Sequence, residues 1–209
     1  MKNQIKILAI DDNQDIIYTI EAVAEMEDWK VKGIINPISG IEEAKINKFD
    51  IILIDYHMPD MNGLEVLKNI RSFNKDVPII ILTIDERYEI AKEFLESGAN
   101  DYALKPIKAV DLISRIKAHI DKKEKKNYFE KVNNLIIPKG LSKITLTKLY
   151  KYLINIKEYK TIEEISEDTD FAYQTIHRYI NFLEQQDIIM SDLEYGNVGR
   201  PKKKFKLKQ

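Results

Sequence analysis

The sequence predicts an α/β domain, with a doubly wound parallel sheet of five strands, followed by a smaller domain of helices and short extended segments. Short apolar runs rich in β-branched residues alternate with longer amphipathic runs over the first 120 residues. The short runs are almost continuously apolar, as strands are when helices cover both faces of a parallel sheet. Beyond residue 140, helical patterns are followed by short extended ones. The five βα units indicate a sheet with helices on both faces.

Each element of the first domain is marked by a local pattern. The predicted strands are residues 5–10, 31–35, 51–54, 77–82 and 101–104. The predicted helices are residues 15–27, 38–47, 63–73, 87–97 and 110–120. Gly98 stands where the fourth helix should stop, and Pro78 restricts the backbone near the start of the fourth strand. The charged run at residues 121–126, DKKEKK, is expected to end the fifth helix and to open a linker.

Composition is that of a globular protein whose charge is unevenly divided. Of 209 residues, 44% are hydrophobic and none is cysteine, which excludes disulfides and thiolate metal sites and suits a cytoplasmic protein. The first apolar run is too short for a signal peptide or a membrane span, so we expect no membrane insertion. Residues 1–120 hold 15 Lys and Arg against 21 Asp and Glu, whereas residues 121–209 hold 18 against 13. The basic second half suggests a polyanionic partner, although solvated surfaces show the same asymmetry.

Polar residues that could bind a metal ion or take part in a reaction follow the predicted strands. Asp11 and Asp12 follow the first strand and Asp55 follows the third, so they should meet at the carboxyl edge of the sheet, where ligands bind. Carboxylate oxygens are the ligands that Mg²⁺ prefers. With a cation nearby, Asp55 could be the nucleophile toward a phosphoryl donor, and Lys105 would neutralise the developing charge. The hydroxyl of Thr83 could then donate a hydrogen bond to the phosphoryl group.

Each of these residues also has an ordinary structural explanation. Asp12 could cap the following helix, Lys105 and Pro106 could form a plain loop, and Tyr102 could be a half-buried strand residue. The joint spacing of the motifs favours a site over these separate explanations. A phosphatase of the haloacid dehalogenase type is excluded, because it needs an acid two residues after the nucleophile, where this chain has His57.

Residues 5–120 resemble the receiver domain of two-component response regulators. The resemblance rests on Asp11-Asp12, Asp55 with Met58-Pro59 and Gly63, Thr83, Tyr102 and Lys105-Pro106, in this order. It implies a flavodoxin-like sheet of strand order 2-1-3-4-5; receivers are themselves examples of that order, so the order follows from the resemblance and not from the pattern.

The resemblance also implies a role for each site residue. Asp55 would be the phosphoacceptor, Lys105 would contact the phosphoryl group, and Thr83 and Tyr102 would form the switch pair. The implied Mg²⁺ ligands are Asp12, Asp55 and the backbone carbonyl of His57, with Asp11 binding through water. A domain of this kind that is no longer phosphorylated is an alternative, although every group that phosphorylation needs is present.

One residue departs from the pattern of that family. Ile84 stands directly after Thr83, where the family usually has a small residue, and its bulk is expected to narrow access to Asp55. His57 and Asp85 occupy flanking positions that tune the lifetime of the phosphoryl group in the family. We therefore expect the lifetime of the phosphoryl group on Asp55 to be specific to this chain.

The second half has the pattern of a winged helix-turn-helix domain. Helices are predicted at residues 145–155, 162–167 and 171–186, followed by a β-hairpin wing that starts at residues 188–190 and returns at 204–208. The polar face of the third helix and the basic wing would contact DNA. The candidate DNA-binding residues are Tyr173, Gln174, Thr175, His177, Arg178, Arg200, Lys202 and Lys203. A solvated helix face and a disordered basic tail are the alternatives.

The second half also resembles regulators that respond to citrate, malate or other C4-dicarboxylates. The matching motifs are Pro138-Lys139-Gly140-Leu141, Thr145-Leu146, Tyr195-Gly196 and Gly199-Arg200-Pro201. The resemblance implies a receiver at 1–121, a linker at 122–140 and a DNA-binding domain at 141–209. It also implies a sensor histidine kinase as phosphoryl donor, double-stranded promoter DNA as target, and a homodimer on activation.

Two alternative functions are less consistent with the sequence. The output domain could act through protein–protein interaction, which the basic wing disfavours. An enzyme acting on small phosphorylated metabolites is not expected, because the sequence offers no second acid after Asp55 and no signature of a substrate pocket.

Overall fold

The computed structural model describes residues 4–156, 158–195 and 201–208. The chain divides into two compact units, residues 1–124 and residues 125–209. No helix within the described ranges is long and apolar enough to span a bilayer.

The first unit is a five-stranded parallel sheet with helices on both faces. Its strands are β1 (Lys6–Ile10), β2 (Lys30–Ile34), β3 (Ile51–Asp55), β4 (Ile79–Thr83) and β5 (Asp101–Leu104). Its helices are α1 (Gln14–Glu25), α2 (Pro37–Ile46), α3 (Gly63–Phe73), α4 (Tyr88–Glu96) and α5 (Ala109–Asn133). The strand order is β2-β1-β3-β4-β5, and every pairing is parallel. The predicted fold class is confirmed.

The sheet separates two apolar cores because successive strand residues face opposite sides. Ile7 and Ala9 of β1 pack with buried residues of α1 and α5, whereas Leu8 and Ile10 pack with residues of α2, α3 and α4. All residues of β3 and β4 are buried, as expected for central strands covered on both faces. This covering leaves the carboxyl edge of the sheet as the place where polar side chains can meet.

Helix α5 is much longer than the sequence analysis predicted. It runs to Asn133, 13 residues beyond the predicted end, so residues 122–133 of the predicted linker are helical. Lys and Glu are good helix formers, and no proline occurs between Pro106 and Pro138, so the charged run continues the helix. Phe129 and Val132, near its end, pack in the core of the second unit. That contact explains why the helix persists.

In its described residues, the second unit contains the end of α5, three further helices and a small antiparallel sheet. After α5 its elements are α6 (Lys143–Leu153), β6 (Lys160–Thr161), α7 (Ile162–Thr169), α8 (Tyr173–Gln185), β7 (Ile189–Glu194) and β8 (Lys202–Leu207). The sheet order is β6-β8-β7, with both pairings antiparallel. The helix-turn-helix and the hairpin are confirmed. Strand β6, only two residues long, was not predicted.

The helix-turn-helix is fixed by caps at two points. The Thr161 side chain accepts from the Glu164 backbone N–H, and the Glu164 carboxylate accepts from the Thr161 N–H, which completes a capping box at the start of α7. Asp170 ends α7 in the left-handed conformation, with φ of 56°. Ile176, Ile180 and Leu183 of α8 face the core, as predicted.

Candidate functional site

Four strands end around one acidic centre at the carboxyl edge of the first sheet. Asp11 follows β1, Asp55 ends β3, Thr83 ends β4 and Lys105 follows β5. Asp11 and Thr83 are fully buried, and Asp55 is only 3% exposed. The Lys105 N–H donates to the Thr83 carbonyl at 2.8 Å, which fixes the start of the loop after β5 beside β4. The structure therefore brings together the residues that the sequence placed separately.

Three carboxylates converge at this centre. Ligand oxygens of Asp11, Asp12 and Asp55 all lie within 4.8 Å of one another. Asp12 is exposed, so the cluster opens to solvent on one side. Three acids face a single lysine, and this excess of negative charge in an oxygen-only site fits a hard divalent cation such as Mg²⁺. These residues fit the predicted metal site.

Lys105 joins the two buried acids. Its Nζ lies 2.7 Å from Asp11 Oδ2 and 2.8 Å from Asp55 Oδ1. Burial would lower the pKa of Lys105, but the hydrogen bonds to Asp11 and Asp55 and their charges outweigh it and raise that pKa. Burial raises the pKa of Asp11, more than the hydrogen bonds from Lys105 and from the Asn13 N–H lower it. The raised pKa of Lys105 keeps its amine protonated between the two acids.

Helix α3 begins directly against the backbone that carries Asp55. The Gly63 N–H donates to the Tyr56 carbonyl at 2.9 Å. A Cβ atom at residue 63 would lie 2.2 Å from the Asp55 carbonyl oxygen, so this close approach requires glycine. Asn62 and Glu65 form a capping box that holds the first turn of α3 in this place.

The predicted switch residues lie on adjacent strands. Thr83 Oγ1 accepts a hydrogen bond from the Asp85 N–H at 3.0 Å. Tyr102 is half-buried and packs against the core beneath α3 and α4. Ile84 is 67% exposed, so its side chain points largely into solvent. His57 is exposed, and its ring lies 4.6 Å from that of Tyr56.

The candidate DNA-binding residues of the second unit differ in availability. Tyr173, Gln174 and His177 are exposed on α8, whereas Thr175 is half-buried. The Arg178 guanidinium donates to the Gly140 carbonyl at 2.6 Å, so it also anchors the segment that precedes α6. No local pattern in the sequence indicates that second role.

The wing residues also differ from one another. Lys203 pairs with Glu184 of α8 at 2.7 Å, so its charge is largely compensated within the domain. Lys202 is exposed at the start of β8. Arg200, with the motif residues Gly196 and Gly199, lies outside the described residues.

Comparison with known families identifies the first unit. Residues 7–117 match the family described as the response regulator receiver domain. The chain belongs to this family. As a response regulator it is similar over nearly its whole length to the Probable C4-dicarboxylate response regulator DctR of Halalkalibacterium halodurans, at 31% identity, with 98% of this chain and 97% of that protein covered.

Two further relatives of the response regulator have names of the same group. The Probable C4-dicarboxylate response regulator DctR of Priestia megaterium is 30% identical, with 83% of this chain and 82% of that protein covered. The Transcriptional regulatory protein MalR of Bacillus subtilis is 27% identical, with 86% of this chain and 84% of that protein covered. The resemblance found in the sequence is therefore confirmed.

Solved structures match the fold of the first unit. The CheY-like receiver domain protein from Methanospirillum hungatei has a TM-score of 0.57 and 27% identity, covering 59% of this chain and 99% of that one. A Francisella receiver domain has a TM-score of 0.55 and 29% identity, covering 57% of this chain and 98% of that one.

One charged group beside the site was not predicted from the sequence. Arg87 forms an ion pair with Asp85 on the loop between β4 and α4 of the response regulator, at 2.5 Å. The spacing of an acid and a base two residues apart on a loop is too common to indicate such a pair in advance.

Proposed function

We propose that this response regulator is a transcription factor controlled by phosphorylation of Asp55, with a sensor histidine kinase as phosphoryl donor. The observation that supports it best is the buried Asp55 carboxylate, joined by Lys105 to Asp11 and accompanied by Asp12. A carboxylate oxygen of Asp55 attacks phosphorus, the new O–P bond forms, and the bond to the donor's imidazole nitrogen breaks. Mg²⁺ held by Asp12, Asp55 and the His57 carbonyl, and by Asp11 through water, would neutralise charge on the phosphoryl oxygens.

The residues around Asp55 do the rest of the chemistry. Lys105, already 2.8 Å from Asp55 Oδ1, stabilises negative charge on the transferred group. The closely packed Gly63 and the cap of α3 hold Asp55 in place. The Thr83 hydroxyl donates to a phosphoryl oxygen, which draws its loop inward and gives Tyr102 room to rotate inward. The group adds about −1.5 to −2 charges, which supplies the differential binding that a two-state switch needs.

The surface formed by α4, β5 and α5 is the proposed dimer interface. It exposes several apolar side chains, among them Tyr88 (75%), Leu95 (49%), Leu104 (41%) and Val110 (79%). Exposed apolar side chains favour association with a partner. A dimer would link two DNA-binding units and raise their apparent affinity for paired half-sites.

The second unit is proposed to bind promoter DNA through α8 and the wing. Gln174 and His177 offer polar groups for base edges, and Lys202 offers a charge for phosphate. The names of the relatives favour genes for uptake or metabolism of C4-dicarboxylates, citrate or malate. The kinase senses the metabolite, so the response regulator itself needs no metabolite pocket.

The first experiment measures Asp55 phosphorylation. Full-length protein is incubated with acetyl phosphate and Mg²⁺, and its labelled fraction is compared with those of Asp55→Asn and Asp60→Asn. Asp60 is an exposed acid on the same loop, and its φ of 66° suits asparagine, so the control has the same chemical change. We expect loss of labelling in Asp55→Asn alone. Unlabelled wild type would refute the proposal.

The second experiment measures genome-wide DNA occupancy and the salt dependence of promoter binding in vitro. Occupancy should fall in Asp55→Asn. The slope of log affinity against log salt should decrease in magnitude by about 0.9 for Lys202→Ala and stay unchanged for Lys148→Ala, an exposed lysine of α6. Absence of salt-dependent binding at low salt would instead favour an output domain that binds protein.

A further inference from the structure

A bidentate ion pair lies on the loop between β4 and α4. Arg87 Nε lies 2.9 and 3.2 Å from the two carboxylate oxygens of Asp85, and Nη2 lies 2.5 Å from Oδ2. The Arg87 backbone N–H donates to Asp85 Oδ1 at 3.0 Å. Arg87 thus holds both oxygens of Asp85 and fixes the direction of its carboxylate.

Two contacts place this pair at the mouth of the acidic site, between the loops that follow β3 and β4. The Asp85 N–H donates to Thr83 Oγ1, and Thr83 ends the strand adjacent to the one that ends at Asp55. Asp85 therefore begins the loop at the same edge of the sheet as Asp55. His57, on the facing loop, is close enough to act electrostatically on Asp85.

The two side chains of the pair differ in exposure. The Asp85 side chain is 11% exposed and that of Arg87 is 70% exposed, so Arg87 covers the Asp85 carboxylate from the solvent side. Hydrogen bonds from Arg87 hold the pKa of Asp85 at about 2. Asp85 is therefore ionised throughout the neutral pH range.

The charge of Asp85 matters because phosphoryl donors are anions. The site already contains Asp11, Asp12 and Asp55 against Lys105, and a further bare carboxylate at its mouth would repel an incoming phosphate group. Arg87 compensates this charge through its contacts with both carboxylate oxygens.

We propose that Arg87 is a positioning residue for capture of the phosphoryl donor: it holds and neutralises Asp85, so that this carboxylate does not repel anionic donors from Asp55. The inference rests on the proposed phosphorylation of Asp55. The Asp85–Arg87 pair would then set how readily an anionic donor approaches Asp55, before the phosphoryl group is transferred.

The test compares the labelling rates of full-length variants with two small donors, acetyl phosphate and the less negatively charged phosphoramidate. Arg87→Gln should slow labelling by acetyl phosphate about two- to fivefold at low salt, and Asp85→Asn should accelerate it by a similar factor. The double variant should return close to the wild-type rate. The effects should be smaller with phosphoramidate and should shrink in 0.5 M salt, because exposed charges are then screened.

Further variants separate the electrostatic role from a structural one. Lys92→Gln removes an exposed cation of α4, paired with Glu96 at 3.6 Å, and should change the rate less than Arg87→Gln. Arg87→Lys keeps the charge and should restore most of the rate. Single variants at 85 and 87 that both slow labelling, or both leave it unchanged, would overturn the proposal. If wild-type Asp55 accepts phosphate from neither donor, the proposed function itself fails.

Discussion

The substitution Gly63→Ala tests how closely α3 must approach the backbone that carries Asp55. The added Cβ would lie 2.2 Å from the Asp55 carbonyl oxygen and 2.9 Å from Tyr56 Cα. Close carbon–oxygen contacts in proteins are about 3.3 Å or longer, so the helix and the loop must separate by about 1 Å. Both neighbours are backbone atoms, and no side-chain rotation can relieve the clash.

The expected cost follows from two opposing effects. Forced overpacking typically costs about 1–3 kcal/mol, whereas alanine gains up to about 1 kcal/mol over glycine within a helix. We therefore expect Gly63→Ala to lower the free energy of unfolding by about 1–2 kcal/mol. The shift also misplaces the Asp55 carboxylate, and a displacement of about 1 Å can slow a positioned reaction by up to about 100-fold. Labelling by acetyl phosphate should fall at least tenfold, as an order-of-magnitude estimate.

Urea unfolding and the labelling rate measure these two effects separately. Gly40→Ala is the control, since its Cβ would meet the side chain of Ile10 at 2.6 Å, and side-chain atoms can move where the backbone beside Gly63 cannot. It should lower stability but keep the labelling rate within about twofold of wild type. A Gly63→Ala protein as stable as wild type and labelled at the same rate would refute the steric reasoning.

Two further predictions concern burial. Because burial raises the pKa of Asp11, the folded protein binds that proton more tightly than the unfolded chain does, and stability from this group is lost as pH rises through the folded pKa. Asp11→Asn should therefore gain stability relative to wild type between pH 3 and pH 7 in urea unfolding; a constant difference would contradict this. Val132→Ala, at a 1% exposed position of α5, should cost about 1.5–3 kcal/mol in the unfolding of the second unit, while Val110→Ala, 79% exposed, should change stability by no more than about 0.5 kcal/mol. Equal effects of the two substitutions would show that the end of α5 is not part of that core.

Local patterns succeeded where burial is uniform along an element. The runs that became β3 and β4 are apolar at nearly every residue because helices cover both faces, and they were predicted with shifts of only one or two residues at their ends. The helix that became α8 showed its apolar face at the regular spacing, and Ile176 and Ile180 are indeed buried.

Local patterns failed where a distant contact decides the structure. Residues 122–133 are too charged for their pattern to predict an amphipathic helix. They are helical in the structure, and two of them, Phe129 and Val132, pack in the core of the second unit. Strand β6 is two residues long and exists only through its pairing with β8. Arg178 binds the carbonyl of Gly140, 38 residues away in the chain, and Lys203 binds the carboxylate of Glu184, 19 residues away. Neither contact can be read from a local pattern.

The sequence by itself determined the α/β class, and it predicted that Asp11, Asp12 and Asp55 meet at one edge, because the carboxyl ends of parallel strands lie at the same edge of a sheet. Which oxygens converge on Lys105, how tightly Gly63 approaches Asp55, and that Arg87 holds Asp85 were decided only by the tertiary structure. The physical reason is that periodicity reports which face of an element is buried, whereas distances between side chains depend on how separate elements pack.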